Sequence, residues 1–272
     1  MKNYTLFLWI ALLMLGISGT IGAREVASFN DGWEFKKGPF SKEALQAVQK
    51  WNSDWQEVSI PHTWNADDMQ KQASAFYEGV GYYRKKFTFP ENMEGKRIFL
   101  RFEGVGSYAE VYINGYLAGT HKGAYSAFAC EISSQVKFGK ENEIIVKADN
   151  SSRPDVIPTN HILFGVYGGI YRPVWLVVTE TCSIIANDCA SPGVYITQKN
   201  VSSKSADVQV KVKVENKELT PQNVVLENTI YDYSGKLCLK KAQNNKNEKY
   251  FLFDSKFKKK SDIQIPDTRS LQ

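Results

Sequence analysis

Asp149, Asn150, Arg153, Asp155, Asn160 and His161 follow one another within one short stretch, with Phe164 and Tyr167 close behind. Carboxylates and amides present planar acceptors and donors, guanidinium and imidazole add directional N–H groups, and aromatic rings add flat apolar faces. Such a set suits a polyhydroxylated ligand, whose hydroxyls need several fixed hydrogen-bond partners while its C–H face needs an apolar cover. Asp149, Asn150, Arg153, Asp155, Asn160, His161 and Tyr167 are therefore candidate carbohydrate-binding residues. A solvated polar loop that holds nothing is the simpler reading of the same polarity.

Two flanking segments are of another kind: Ile60-Pro61-His62-Thr63-Trp64-Asn65 and Tyr167-Gly168-Gly169-Ile170-Tyr171-Arg172. Pro61 fixes the backbone and removes a donor, so a strand can end at Ile60 while His62 and Trp64 turn toward the next element. A strand-end histidine such as His62 is expected to be packed or hydrogen-bonded rather than to face a ligand. Gly168 and Gly169 permit positive φ or a close backbone approach, and Arg172 is expected to tie a loop down by ion pairing. His62, Trp64, Gly168, Gly169 and Arg172 thus read as architecture.

The elements that must position these residues have a period of two. Tyr82 to Phe89 alternates and stops at Pro90, Arg97 to Phe102 stops at Glu103-Gly104, and Ser107 to Ile113 sets Ala109, Val111 and Ile113 against Tyr108, Glu110 and Tyr112. Asn114-Gly115 accepts the positive φ values of a type I′ turn and closes a hairpin with Tyr116 to Thr120. Glu143 to Ala148 and Pro173 to Thr179 read as further strands. Only Lys42 to Trp51 looks helical, with Leu45 and Val48 on one face. Beyond a small, polar stretch from Thr181 to Pro192, Val208 to Val214 alternates strictly, Val224 to Tyr231 forms another strand, and Asp232 to Gly235 turns into Lys236 to Leu239. The terminal Lys256 to Gln272 is polar and is expected to lack strand structure, leaving a sheet edge unpaired. The expected fold is all-β: a jelly-roll sandwich over 24–182, then a partial immunoglobulin-like sandwich over 183–272.

Composition narrows the function classes. The 272 residues are 43% hydrophobic and 13% aromatic, ample for packed cores, and the net charge of +5 is partly due to the lysines at 256 and 258–260. No basic stripe interleaved with aromatics suggests nucleic acid. Cys130, Cys182, Cys189 and Cys238 are scattered rather than paired at metal-binding spacing, so no metal and no cofactor is expected. Buried free thiols are the expected state, with the nearest pair, Cys182 and Cys189, the candidate disulfide if one forms. Met1 to Tyr4 is a short basic start, Leu6 to Ile17 an apolar core, and Thr20 to Ala23 a run of small residues before Arg24. That layout predicts a secretory signal peptide over 1–23, an exported product, periplasmic or extracellular, and no membrane attachment after cleavage.

In combination, these motifs resemble the N-terminal part of glycoside hydrolase family 2, the group of β-galactosidases, β-glucuronidases and β-mannosidases. Besides the two flanking segments, the matching residues are Asp31-Gly32-Trp33-Glu34-Phe35, Gly79 to Lys85, Phe102 to Val105 with Val111 to Gly115, and Asn142 to Asn150. The resemblance covers about residues 29 to 240. It implies a galactose-binding-domain-like jelly roll, then an immunoglobulin-like domain, then a catalytic (β/α)₈ barrel that would be the first domain's partner alongside carbohydrate. Family members often carry an aspartate five residues before the Gly-Gly pair, where it reaches the barrel's sugar site; here that position is Leu163.

Glycoside hydrolysis takes two carboxylates about 5 to 9.5 Å apart, and in the family both are barrel glutamates, the acid following an asparagine. Asn142-Glu143 begins a sandwich strand and Asn247-Glu248 falls in a lysine- and asparagine-rich turn, so neither is expected to be the acid. A barrel needs at least ~200 residues, more than follow the first sandwich, and no catalytic residue is expected here. Three roles fit: the non-catalytic N-terminal portion of an exported family 2 glycosidase, cut short before its barrel; a stand-alone exported carbohydrate-binding module; or a structural or adhesive β-sandwich.

Overall fold

The computed structural model describes residues 24–38, 54–68, 76–157, 165–202, 205–232, 234–246 and 250–260. The signal-like segment, the helix expected over Lys42 to Trp51, the candidates Asn160 and His161, and Leu163, Phe164 and Asn247-Glu248 lie outside these residues.

The first body is a sandwich of two antiparallel sheets. Strands β1 (Arg24–Ser28), β10 (Val174–Thr179), β5 (Arg97–Phe102) and β8 (Phe128–Glu131) make a four-stranded sheet in the order β1-β10-β5-β8. Strands β2 (Trp33–Lys37), β3 (Gln56–Val58), β4 (Val80–Thr88), β6 (Tyr108–Ile113), β7 (Tyr116–Lys122) and β9 (Glu141–Asp149) make a six-stranded sheet in the order β3-β2-β4-β9-β6-β7. The alternation seen in sequence is the division between core and outer face. Ile98, Leu100 and Phe102 of β5, Ala109, Val111 and Ile113 of β6, and Ile144, Val146 and Ala148 of β9 all enter one buried cluster with Trp33, Phe35 and Tyr83. The β6–β7 hairpin turns at Asn114 (φ 51°) and Gly115 (φ 84°), the two positive φ angles of a type I′ turn.

The second body has strands β11 (Cys182–Ile184), β12 (Val194–Lys199), β13 (Ser205–Asn216), β14 (Asn223–Tyr231), β15 (Leu237–Lys246) and β16 (Tyr250–Lys260). Strand β13 is its spine, pairing with β11 and β12 along one edge and with β16 along the other, while β14 and β15 form a separate hairpin. Val210, Val212 and Val214 of β13 pack against Val224, Leu226 and Ile230 of β14 and Leu239 of β15, closing a small two-layer core.

Two expectations are corrected. Lys256 to Lys260 are not a polar tail. They continue β16, which pairs residue for residue with β13 from Glu215↔Tyr250 to Ser205↔Lys260 and covers the edge that sequence alone left open. A backbone ladder does not require apolar side chains, and a lysine-rich edge strand is one natural defence against further pairing. The cysteines are the other: all four are free thiols, as expected, but only Cys130 is buried, while Cys182 and Cys238 are half-buried and Cys189 is exposed.

The outer face of the four-stranded sheet meets the second body through ion pairs. Arg97 donates to both carboxylate oxygens of Glu131 at 2.9 and 2.8 Å and to Glu215 of β13 at 2.7 Å, with its side chain 7% and that of Glu215 5% exposed. Lys217 pairs with the other Glu215 oxygen at 2.7 Å. Two cations on one buried carboxylate outweigh the opposing desolvation and hold Glu215 below its ordinary range.

Candidate functional site

Strand β9 ends in Asp149, and the chain there turns away over the end of the six-stranded sheet. The Asp149 carboxylate accepts from the Ser151 backbone N–H at 2.9 Å, an Asx-type turn, and lies 3.9 Å from the Arg153 guanidinium. Arg153 stacks over the Tyr108 ring, 4.5 Å from its centroid, and its Nε lies 3.4 Å from Asp155, whose other oxygen accepts from Lys122 at 2.6 Å. The Lys122 hydrogen bond, foremost, holds the Asp155 carboxyl below its ordinary range. Asp149, Arg153, Asp155, Lys122 and Tyr108 therefore form one polar ridge on strand ends β6, β7 and β9.

Asn150 belongs to the layer beneath. Its side chain is 0% exposed, its Oδ1 accepts from the Gly79 N–H at 2.8 Å, and its Nδ2 donates to the carbonyl of Val166 at 2.7 Å and, less closely, to Tyr77 and Asn65. Asn65, equally buried, accepts from the Gly168 N–H at 2.8 Å and donates to Asp68 at 2.7 Å and to the Tyr77 carbonyl at 3.0 Å. The two amides staple three chain segments, 65–68, 77–79 and 166–168, to the end of β9. Asn150 has its polar atoms turned inward, away from any ligand at the surface.

Tyr167 stands on the other side of the same staple, 40% exposed, with its ring edge-on to Phe76 at 6.2 Å. The segment Gly106-Ser107 links the two sides, because the Gly106 N–H donates to the Gly169 carbonyl at 3.1 Å and the Ser107 N–H to the Asp149 carbonyl at 2.8 Å. Glycine is needed at 168, where a Cβ would overlap the Trp64 indole, and at 169, where φ is +111° and a Cβ would meet the Tyr83 hydroxyl and the His62 carbonyl.

His62 lies inside this architecture. Its backbone N–H donates to the Ile170 carbonyl at 2.8 Å, and its ring Nδ1 is 2.7 Å from the hydroxyl of Tyr83. Burial, with a smaller push from Lys37, lowers its pKa and keeps the ring neutral near pH 7. Trp64 stacks on Phe35 with centroids 5.7 Å apart. Arg172 makes no ion pair among the described residues; it lies over the Tyr171 ring at 5.6 Å, so the expected salt-bridge tether is a cation–π contact.

The described part of the loop thus brings Asp149, Arg153 and Asp155 together, sets Asn150 below them and Tyr167 across from them. Sequence reading missed Lys122 and Tyr108, which complete the ridge, and Asp68 and Tyr77, which complete the staple. The alternation of β6 and β7 could have placed Tyr108 and Lys122 opposite one another, since they are register partners. Nothing in the sequence marks Asp68.

The Asn142-Glu143 pair is structural. Asn142 is buried, accepts from the Lys137 N–H at 2.7 Å and donates to the Lys137 and Lys140 carbonyls, while the Glu143 backbone pairs with the Asn114 turn. A general acid needs a carboxyl in a cleft facing a second one, and Glu143 sits instead mid-sheet opposite Lys86.

Comparison with known proteins gives a consistent picture. The family described as glycosyl hydrolases family 2, sugar binding domain, matches residues 26–180. The chain is 37% identical over 216 residues to a β-glucuronidase of Bacteroides fragilis, covering 79% of this chain and 29% of that protein. It is 30% identical over 220 residues to a β-galactosidase of Thermoanaerobacter pseudethanolicus, covering 79% of this chain and 28% of that one. Among solved structures, it superposes on a putative β-galactosidase from Bacteroides fragilis with a TM-score of 0.83 and 61% identity, covering 88% of this chain and 36% of that one. A Bacteroides uniformis β-glucuronidase superposes with a TM-score of 0.79 and 29% identity, over 89% of this chain and 28% of that one. The chain spans only about a third or less of the length of each.

Proposed function

We propose, from the premise that this chain belongs to glycosyl hydrolase family 2, that it is the non-catalytic, sugar-recognising portion of a β-galactosidase- or β-glucuronidase-like glycosidase. It works beside a catalytic barrel domain and contributes no catalytic carboxylate of its own. The observation that carries this reading is the match of the family's sugar-binding domain to a sandwich whose one Asn-Glu pair within the described residues is locked into strand structure. The ridge of Asp149, Arg153, Asp155 and Lys122, with Tyr108 beneath and Tyr167 across the staple, supplies the alternating charge and aromatic surface that sugar hydroxyls and C–H faces require. Asn160 and His161, from the same loop, complete the proposed set. The basic, apolar and small-residue succession of Met1 to Ala23 supports export to the periplasm or outside.

Calorimetric titration of the purified chain with β-galactosides and β-glucuronides tests the sugar-recognition reading. Asp149→Ala removes a ridge acceptor and is expected to weaken whichever sugar binds by about tenfold, the equivalent of one charge-assisted hydrogen bond. Unchanged affinity in the variant would move the site away from this loop.

A further inference from the structure

A cavity of about 400 Å³ shares no residue with the ridge and lies on the outer face of the four-stranded sheet, where loop residues 186–192 fold back over β1, β10 and β5. Register explains its lining: Val26 of β1 pairs with Val177 of β10, and Trp175 of β10 pairs with Arg101 of β5, so these side chains share one face. Pro192 and Ala186 form the opposite wall, and the exposed Val26 sits at the rim. At this size it falls within the range of small-ligand pockets, roughly 300–1,000 Å³.

Its polar groups are unevenly satisfied. Arg101 is committed: Nε and Nη2 donate to the two oxygens of Glu103, and Nη1 to the Ala190 carbonyl. Arg24 has no carboxylate partner among the described residues. It donates to the carbonyls of Pro192, Ile184 and Ile185, three bonds out of the five that a guanidinium can make. With Arg24 and Arg101 positive and Glu103 negative, the cavity carries one uncompensated positive charge beside a tryptophan side chain. The Glu103 carboxylate, with about four acceptor sites, uses two on Arg101 and keeps the others for hydroxyls.

We propose that this cavity is a binding site for a single pyranose bearing a carboxylate, a uronic acid. The sugar's C–H face lies on Trp175, its carboxylate takes the free N–H groups of Arg24, and its hydroxyls donate to Glu103. The site stands apart from the Asp149 ridge and rests on the cavity's own chemistry. Each part of the ligand has one counterpart: the aromatic wall selects a ring, the unpaired guanidinium selects an anion, and the remaining carboxylate sites select hydroxyls. Arg24 also anchors the loop by its three carbonyl bonds, so an occupant would bridge the first sandwich to the junction with the second.

The test is ligand-observed saturation-transfer NMR on the full chain with D-glucuronate, D-glucose and acetate as probes. Glucuronate is expected to receive saturation with millimolar affinity, glucose to bind at least about tenfold more weakly, and acetate to fail to displace the uronate at equal concentration. Trp175→Ala should abolish the part of the glucuronate signal that survives Asp149→Ala, whereas Trp175→Phe, which keeps a ring and guards against misfolding as the cause, should retain it. Absence of any signal with the wild-type chain, an undiminished signal in Trp175→Ala, or displacement by acetate would each overturn the proposal. Because the readout depends on Trp175, it fails or succeeds separately from the Asp149 titration.

Discussion

Asn150→Ala would remove the amide that staples three loops to the end of β9. In the native chain that amide, itself without solvent exposure, accepts from the Gly79 N–H at 2.8 Å and donates to the Val166 carbonyl at 2.7 Å. Alanine leaves the buried Val166 carbonyl and the half-buried Gly79 N–H without that partner, at up to about 1–3 kcal/mol each, and the lost contacts with Asn65 and the Tyr77 carbonyl add to this. A loss of about 3–5 kcal/mol is expected, a large share of the 5–15 kcal/mol by which a domain is usually stable. In thermal unfolding, at about 2–4 °C per kcal/mol for a chain of this size, the midpoint should fall by about 6–20 °C. Urea unfolding followed by tryptophan fluorescence is the cleaner assay, because an unchanged slope would show that the same surface still unfolds. Asn150→Asp keeps an acceptor for Gly79 but turns a carboxylate toward the Val166 and Tyr77 carbonyls, and should cost as much. A loss below about 1 kcal/mol for both variants would refute the staple as the element that fixes the candidate loop.

The contact between the two sandwiches should depend on pH. Glu215 has a folded pKa below its ordinary value of 4.5 because of Lys217 and Arg97, so its contribution is fully present above the unfolded value and is lost as pH falls through the folded one. Mild acid should therefore loosen the junction before it unfolds the first sandwich, and limited proteolysis between residues 180 and 193 should accelerate as pH falls below the ordinary carboxylate range. Arg97→Ala removes the shared cation of Glu131 and Glu215, and because Lys217 still faces Glu215 and Glu131 is partly exposed it should cost about 1–3 kcal/mol, read as a lower urea midpoint; an unchanged midpoint would refute the pair as a stabilising contact. Thiol chemistry distinguishes the cysteines, since burial pushes Cys130 up to about 12 while Cys189 is exposed. Cys189 should alkylate in the native chain and Cys130 only after unfolding, as mass spectrometry of the labelled peptides would show.

Much of the first sandwich was legible because its signals are local. The period of two in β5, β6 and β9 follows from one face being core, and Asn114-Gly115 carries its turn type in its own residues. Strand β16 was not legible, because its lysines look like a solvated tail and its reason to be a strand is a ladder with β13, distant in sequence. The same holds for the staple. Asn65 and Asn150 are 85 residues apart, and an asparagine buried between loops is indistinguishable in sequence from one reaching a ligand. Hence the polar composition around residue 150 pointed to a binding loop as a whole but could not separate Asp149 and Arg153, which pair with each other and are partly exposed, from Asn150, which is fully buried and holds the loop in place.

The most direct test of the central claim is the rate at which the purified chain releases nitrophenol from nitrophenyl β-D-glucuronide and β-D-galactoside. On the proposed reading, in which the chain recognises sugar but contributes no catalytic carboxylate pair, the rate should be indistinguishable from buffer alone with both substrates. Turnover that co-purifies with the chain through successive columns would contradict that account and require a catalytic pair within these residues.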